Sequence, residues 1–155
     1  MDSDRVEFKY YMKINEACKN GDIDTFKTTI YQLHDYVGHK MALMYVLTSN
    51  FFVLCIENGH YDIFVWLFDF IKMFGVWHLK NNGYLCRLAC HYERLDIVKY
   101  MFEFMEYFNP EEHTEYMSIF FYYLDGIKNR NTDIVNYIIQ ILLIYKPDTI
   151  NYIEI

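Results

Sequence analysis

One eight-residue segment occurs four times along this chain. Ala17-Cys18-Lys19-Asn20-Gly21-Asp22-Ile23-Asp24 returns as Cys55-Ile56-Glu57-Asn58-Gly59-His60-Tyr61-Asp62 and as Ala89-Cys90-His91-Tyr92-Glu93-Arg94-Leu95-Asp96. A looser copy is Gly126-Ile127-Lys128-Asn129-Arg130-Asn131-Thr132-Asp133. The closing aspartates are 38, 34 and 37 residues apart. A period of this length means that one supersecondary unit is stacked repeatedly, because a single unit cannot bury both of its faces.

Each part of the segment has a physical reason. The small residue that opens it (Ala17, Cys55, Ala89 or Gly126) lets two helices approach closely. The Asn-Gly pair of the first two copies ends a helix with a residue that accepts positive φ. The aspartate then falls in the first turn of the next helix, where its charge suits the positive helix end. Apolar residues follow at helical spacing, as in Ile97, Val98, Met101, Phe102 and Met105. Helices are expected over 4–19, 22–36, 40–58 with a break near Thr48-Ser49-Asn50, 61–74, 83–92, 94–107, 110–128 and 131–145. Asn109-Pro110-Glu111-Glu112 gives the clearest start, an N-cap followed by proline and acids. Gly75 to Gly83 reads as the irregular loop, with Asn81-Asn82-Gly83 as its turn signal.

These residues resemble the second half of an ankyrin repeat, small-small-x-x-Gly-His-x-Asp/Glu-Ile-Val-x-x-Leu. Asn58-Gly59-His60-Tyr61-Asp62-Ile63, Leu95-Asp96-Ile97-Val98-Lys99-Tyr100-Met101 and Asp133-Ile134-Val135-Asn136-Tyr137-Ile138 carry the likeness, which covers roughly residues 12 to 145. The Thr-Pro-Leu-His start is absent from every copy, and Glu93 and Arg130 replace the glycine in copies three and four. The richness in Tyr, Phe, Ile and Asn is similar to that of divergent ankyrin-type proteins of large DNA viruses. The resemblance implies an all-α fold of about four stacked helix-turn-helix repeats forming a short solenoid. A single domain is expected over 1–155, with units at 4–36, 40–74, 83–107 and 110–145 and a cap at 148–155. It also implies a binding function, with a host regulatory protein as the target and the host cytoplasm as the location. His60 takes the position at which such repeats place a locally hydrogen-bonded histidine.

Composition excludes other classes. The 155 residues include only six Gly and two Pro, which disfavours turn-rich β sandwiches and disordered chains. Lys and Arg total 14, occur singly, and leave a net charge of −7, so no basic stripe exists for nucleic acid. The most apolar windows are too short or too charged for a bilayer, which needs about twenty apolar residues. The N-terminus, Met1-Asp2-Ser3-Asp4-Arg5, lacks an apolar targeting core. The four cysteines, Cys18, Cys55, Cys86 and Cys90, are therefore expected as intracellular thiols.

Cys86, Cys90 and His91 form the sole Cys/His cluster in the sequence, and i, i+4 cysteines share a helix face suited to zinc. Burial of small thiols in a helix core explains them more simply, so no metal and no cofactor are expected. No phosphate-binding glycine loop, nucleophile elbow or His-Glu-x-x-His pair is present. The chain is expected to be non-catalytic.

From Tyr100 to Ile127 there is no Lys or Arg, but there are six acidic residues and ten aromatic ones. An acidic rim around aromatic anchors suits a basic protein partner. Glu103, Glu106, Tyr107, Phe108, Glu111, Glu112 and Glu115, with Trp77, are the expected binding residues. Trp66, Phe68, Phe70, Phe74 and Tyr84 raise the aromatic load further. The alternative expectation is a self-assembling structural protein that covers such surface in a homodimer or larger oligomer.

Overall fold

The computed structural model describes residues 2–76, 82–108, 118 and 132–145. Every regular element among them is an α-helix: α1 (Asp2–Asn20), α2 (Ile23–Val37), α3 (His39–Thr48), α4 (Phe51–Asn58), α5 (Tyr61–Lys72), α6 (Asn82–His91), α7 (Leu95–Phe108) and α8 (Thr132–Tyr145). The chain divides into two compact units, Met1–Lys80 and Asn81–Ile155. The helix expected over 110–128 and the cap over 148–155 lie outside the described residues.

The repeated segment builds the same turn three times. The amide of Asp22 donates to the carbonyl of Ala17 (2.9 Å), that of His60 to Cys55 (2.9 Å) and that of Arg94 to Ala89 (2.8 Å). Each bond satisfies a carbonyl that the end of a helix leaves without an intrahelical donor. The residue before each donor has positive φ: Gly21 at 72°, Gly59 at 77° and Glu93 at 57°. The third copy thus keeps the left-handed turn although it has no glycine. All four repeat aspartates, Asp24, Asp62, Asp96 and Asp133, stand in the first turn of a helix. The three small residues among the described ones, Ala17, Cys55 and Ala89, are buried.

In the first unit, α1 packs on α2, and α4 packs on α5. The two hairpins lie against each other through α1 with α4 and α2 with α5. This buries Ile14 and Cys18 of α1, Phe26 and Leu33 of α2, and Leu67 and Phe70 of α5. Aromatic rings fill the junction. Phe26 meets Phe51 edge-on at 5.9 Å and Trp66 edge-on at 5.7 Å, while Phe52, Phe64 and Phe68 form a second cluster. Phe68 and Phe70, part of the high aromatic load read from the sequence, are core residues.

The α3 helix opens the second of the expected units, 40–74. It packs on α2 and α5, and its axis meets that of α4 at 48°. The break falls where the sequence places it. Thr48 donates its hydroxyl to Met44 (2.7 Å) and Ser49 donates its own to Val46 (3.0 Å), while the Ser49 hydroxyl accepts from the amide of Phe51 (3.4 Å). Side-chain oxygens thereby replace backbone partners and stop the helix. No single helix among the described residues is long and apolar enough to cross a membrane. The bent pair α3–α4 passes on length and composition together, but it supplies Val46, Phe51, Phe52 and Cys55 to the core. In the second unit α6 packs on α7, burying Leu85, Cys86, Ala89 and Cys90 against Ile97, Val98 and Met101.

Candidate functional site

Among the described residues, Glu7, Phe8, Tyr11 and Tyr45 line an open cleft of about 290 Å³. Glu7 and Tyr11 are one helical turn apart on α1 and share a face, with Phe8 beside them. Tyr45 comes from α3 and donates its hydroxyl to Glu7 Oε2. Tyr11 packs its ring on Phe51 at 5.9 Å and reaches Asn50 with its hydroxyl (3.5 Å). Both tyrosines are therefore positioned by the α3–α4 corner. Phe8 is 62% exposed and Met12, one turn further along α1, is 49% exposed. Met41 and Met44, one turn and one residue before Tyr45, are also exposed. The lining has a single carboxylate, three aromatic rings and no cationic side chain.

Two further clusters carry potential chemistry. At the α2–α3 corner, His34 Nε2 contacts His39 Nδ1, and His34 Nδ1 meets the Asp35 carboxylate at 3.2 Å. Phe74 lies near both rings. The ring nitrogens face each other and the carboxylate holds the far nitrogen of His34, so the three groups do not converge on one point, and no group of three side chains among the described residues could hold a metal ion. In the core, Cys18 Sγ and Cys55 Sγ lie 3.4 Å apart, and Cys18 also reaches the carbonyl of Phe51 (3.5 Å). Burial pushes the Cys55 thiol well above its ordinary range, and its hydrogen bond with Cys18 adds to this. Such a thiol is a poor nucleophile.

Cys86 and Cys90 face the core of the second unit, whereas His91 is exposed and stacks edge-on against Tyr92 at 5.2 Å. The three are not brought together. His60 is a structural residue: its Nε2 hydrogen-bonds the carbonyl of Lys19 (2.9 Å) at the end of α1. Of the expected binding residues, Glu103 is exposed on α7, and Glu106, Tyr107 and Phe108 occupy the end of that helix. Glu111, Glu112, Glu115 and Trp77 lie outside the described residues.

The cleft was not legible in the sequence, because Glu7 and Tyr45 are 38 residues apart and meet only through the α3 docking. The cysteine pair left a fainter signal. Cys18 and Cys55 are 37 residues apart, close to one repeat period. The chain matches no protein-family model, no curated protein and no solved structure.

Proposed function

We propose that this chain is a divergent ankyrin-like stack of helical hairpins that serves as a non-catalytic protein-interaction module, with a basic partner. The observation that carries this reading is the set of exposed apolar side chains on α1 and α3: Phe8 in the lining of the Glu7 cleft, Met12 one helical turn from it, and Met41 and Met44 on the helix that supplies Tyr45. Large apolar side chains grouped on the surface near a polar anchor suit a contact surface. The repeated turn supports the stacked-hairpin reading, because the same small residue, left-handed residue and first-turn aspartate recur at each step. A surface built on packed helices is preordered and loses little entropy on docking.

The test is capture of binding proteins on the immobilised full chain, run in parallel with Phe8→Ala and Met12→Ala variants of matched helicity. The reading expects a partner that binds saturably, is released by salt and is weakened by either substitution. A chain that retains no protein, or retains the same proteins with both variants, would remove the α1/α3 surface from the reading.

A further inference from the structure

Resting on the interaction-module reading, we infer that the Glu7–Phe8–Tyr11–Tyr45 cleft is a receptor for the alkylammonium side chain of a partner lysine. Three aromatic rings and one carboxylate converge on an open volume of about 290 Å³. The faces of aromatic rings attract cations, and the gain grows where water is partly excluded. A lysine also has a four-carbon stem that packs on apolar walls while its charged end seeks an acceptor. Phe8, in the lining and 62% exposed, supplies such a wall.

The charge pattern selects the occupant. Glu7 is the single charged group of the lining, so a cation complements it, an anion is repelled and a neutral group gains no charge attraction. Arg5 and Lys9 stand two residues either side of Glu7, which places them on other faces of α1. The hydroxyl of Tyr45 already occupies Glu7 Oε2. A guanidinium is best held by both oxygens of a free carboxylate, whereas an ammonium is a point charge that needs one. The geometry therefore favours lysine over arginine.

The experiment is a titration of the full chain with acetyl-Gly-Lys-Gly-amide, followed by the ring signals of Phe8, Tyr11 and Tyr45 in nuclear magnetic resonance. The same peptide with norleucine keeps the stem and removes the charge; one with arginine changes the head group. Saturable shifts of those three rings are expected, with the norleucine and arginine peptides each about tenfold weaker. Glu7→Gln keeps an acceptor for Tyr45 but removes the charge, and is expected to weaken the lysine peptide about tenfold. Phe8→Ala, at an exposed position, weakens it without touching the core. Equal binding of the norleucine or arginine peptide, or shifts that bypass these rings, overturns the assignment. If the lysine peptide fails while the full chain still captures a protein that Phe8→Ala releases, the lysine receptor falls and the module stands. If capture fails too, both fall.

Discussion

Gly21 shows how one residue couples two repeats. A β-carbon there would lie 2.6 Å from the Cε1 and Nδ1 atoms of His60, and the residue holds φ at +72°. Gly21→Ala must both strain the backbone and expel the imidazole that satisfies the Lys19 carbonyl. The expected loss is about 2–3 kcal/mol by chemical denaturation. In a His60→Ala background the ring is gone, and the expected cost falls to the conformational part of about 1 kcal/mol. Equal costs in the two backgrounds would remove the coupling. Glu93 is the converse case. It is held at φ 57° where the other turns have glycine, so Glu93→Gly is expected to stabilise the chain by about 0.5–1 kcal/mol. Asp22 caps α2 by accepting from the amide of Thr25 (3.0 Å). The side-chain hydrogen bond from Thr25, then the backbone one, holds its carboxyl below the ordinary value. A carboxyl lowered on folding stabilises the native state above its unfolded pKa, and that contribution is lost as pH falls through the folded value. Asp22→Asn keeps a capping oxygen but does not titrate, so it is expected to flatten the acid limb of stability below about pH 4. Thermal unfolding of both forms across that range checks this.

At the scale of elements, α1 and α4 meet through the Cys18 and Cys55 sulfurs at 3.4 Å. A thiol oxidant such as diamide takes two electrons and two protons from this pair, forms one S–S bond and is itself reduced to the hydrazine. The expected product is two mass units lighter, joins the peptides carrying Cys18 and Cys55, and forms slowly because both thiols are buried. The cross-link closes a loop of about one repeat period and is expected to add about 4 kcal/mol to stability, less any strain. Linkage of other cysteines first, or a lower melting temperature, would show that α1 and α4 do not hold this register. The pairing illustrates what the sequence makes legible. The helices follow from local signals: Gly21 and Gly59 as stops, Asp24 and Asp62 as starts, Ser49 and Asn50 as the break. Each of these acts within one turn of itself, so the sequence carries it whole. The cleft depends on how the packing of α3 on α2 and α5 brings Tyr45 to Glu7 of α1, and no local pattern encodes that. The aromatic load is ambiguous in the sequence: Phe68 and Phe70 add to a density that raises the question of surplus surface, yet both are buried, Phe68 against Phe52 of α4.

For the whole molecule, the question is whether the exposed apolar side chains cover each other or await another protein. They are spread over separate helices: Phe8 and Met12 on α1, Met41 and Met44 on α3, Tyr84 on α6, Leu143 and Ile144 on α8. A symmetric dimer needs one self-complementary patch. Four of these side chains lie on α1 and α3, and the cleft between these helices presents a carboxylate with no cation in its lining. Two copies meeting there would face carboxylate against carboxylate. The net charge of −7 opposes association further at neutral pH. Light scattering on a sizing column across a dilution series is therefore expected to give a 19.0 kDa monomer at pH 7. Near the isoelectric point of about 5.3 the repulsion vanishes, and reversible association is expected to appear there. A dimer that persists at pH 7 through dilution would reverse the argument. It would mean that the surface is satisfied by a second copy, and Phe8→Ala and Ile144→Ser would then separate the two candidate interfaces by which of them restores the monomer.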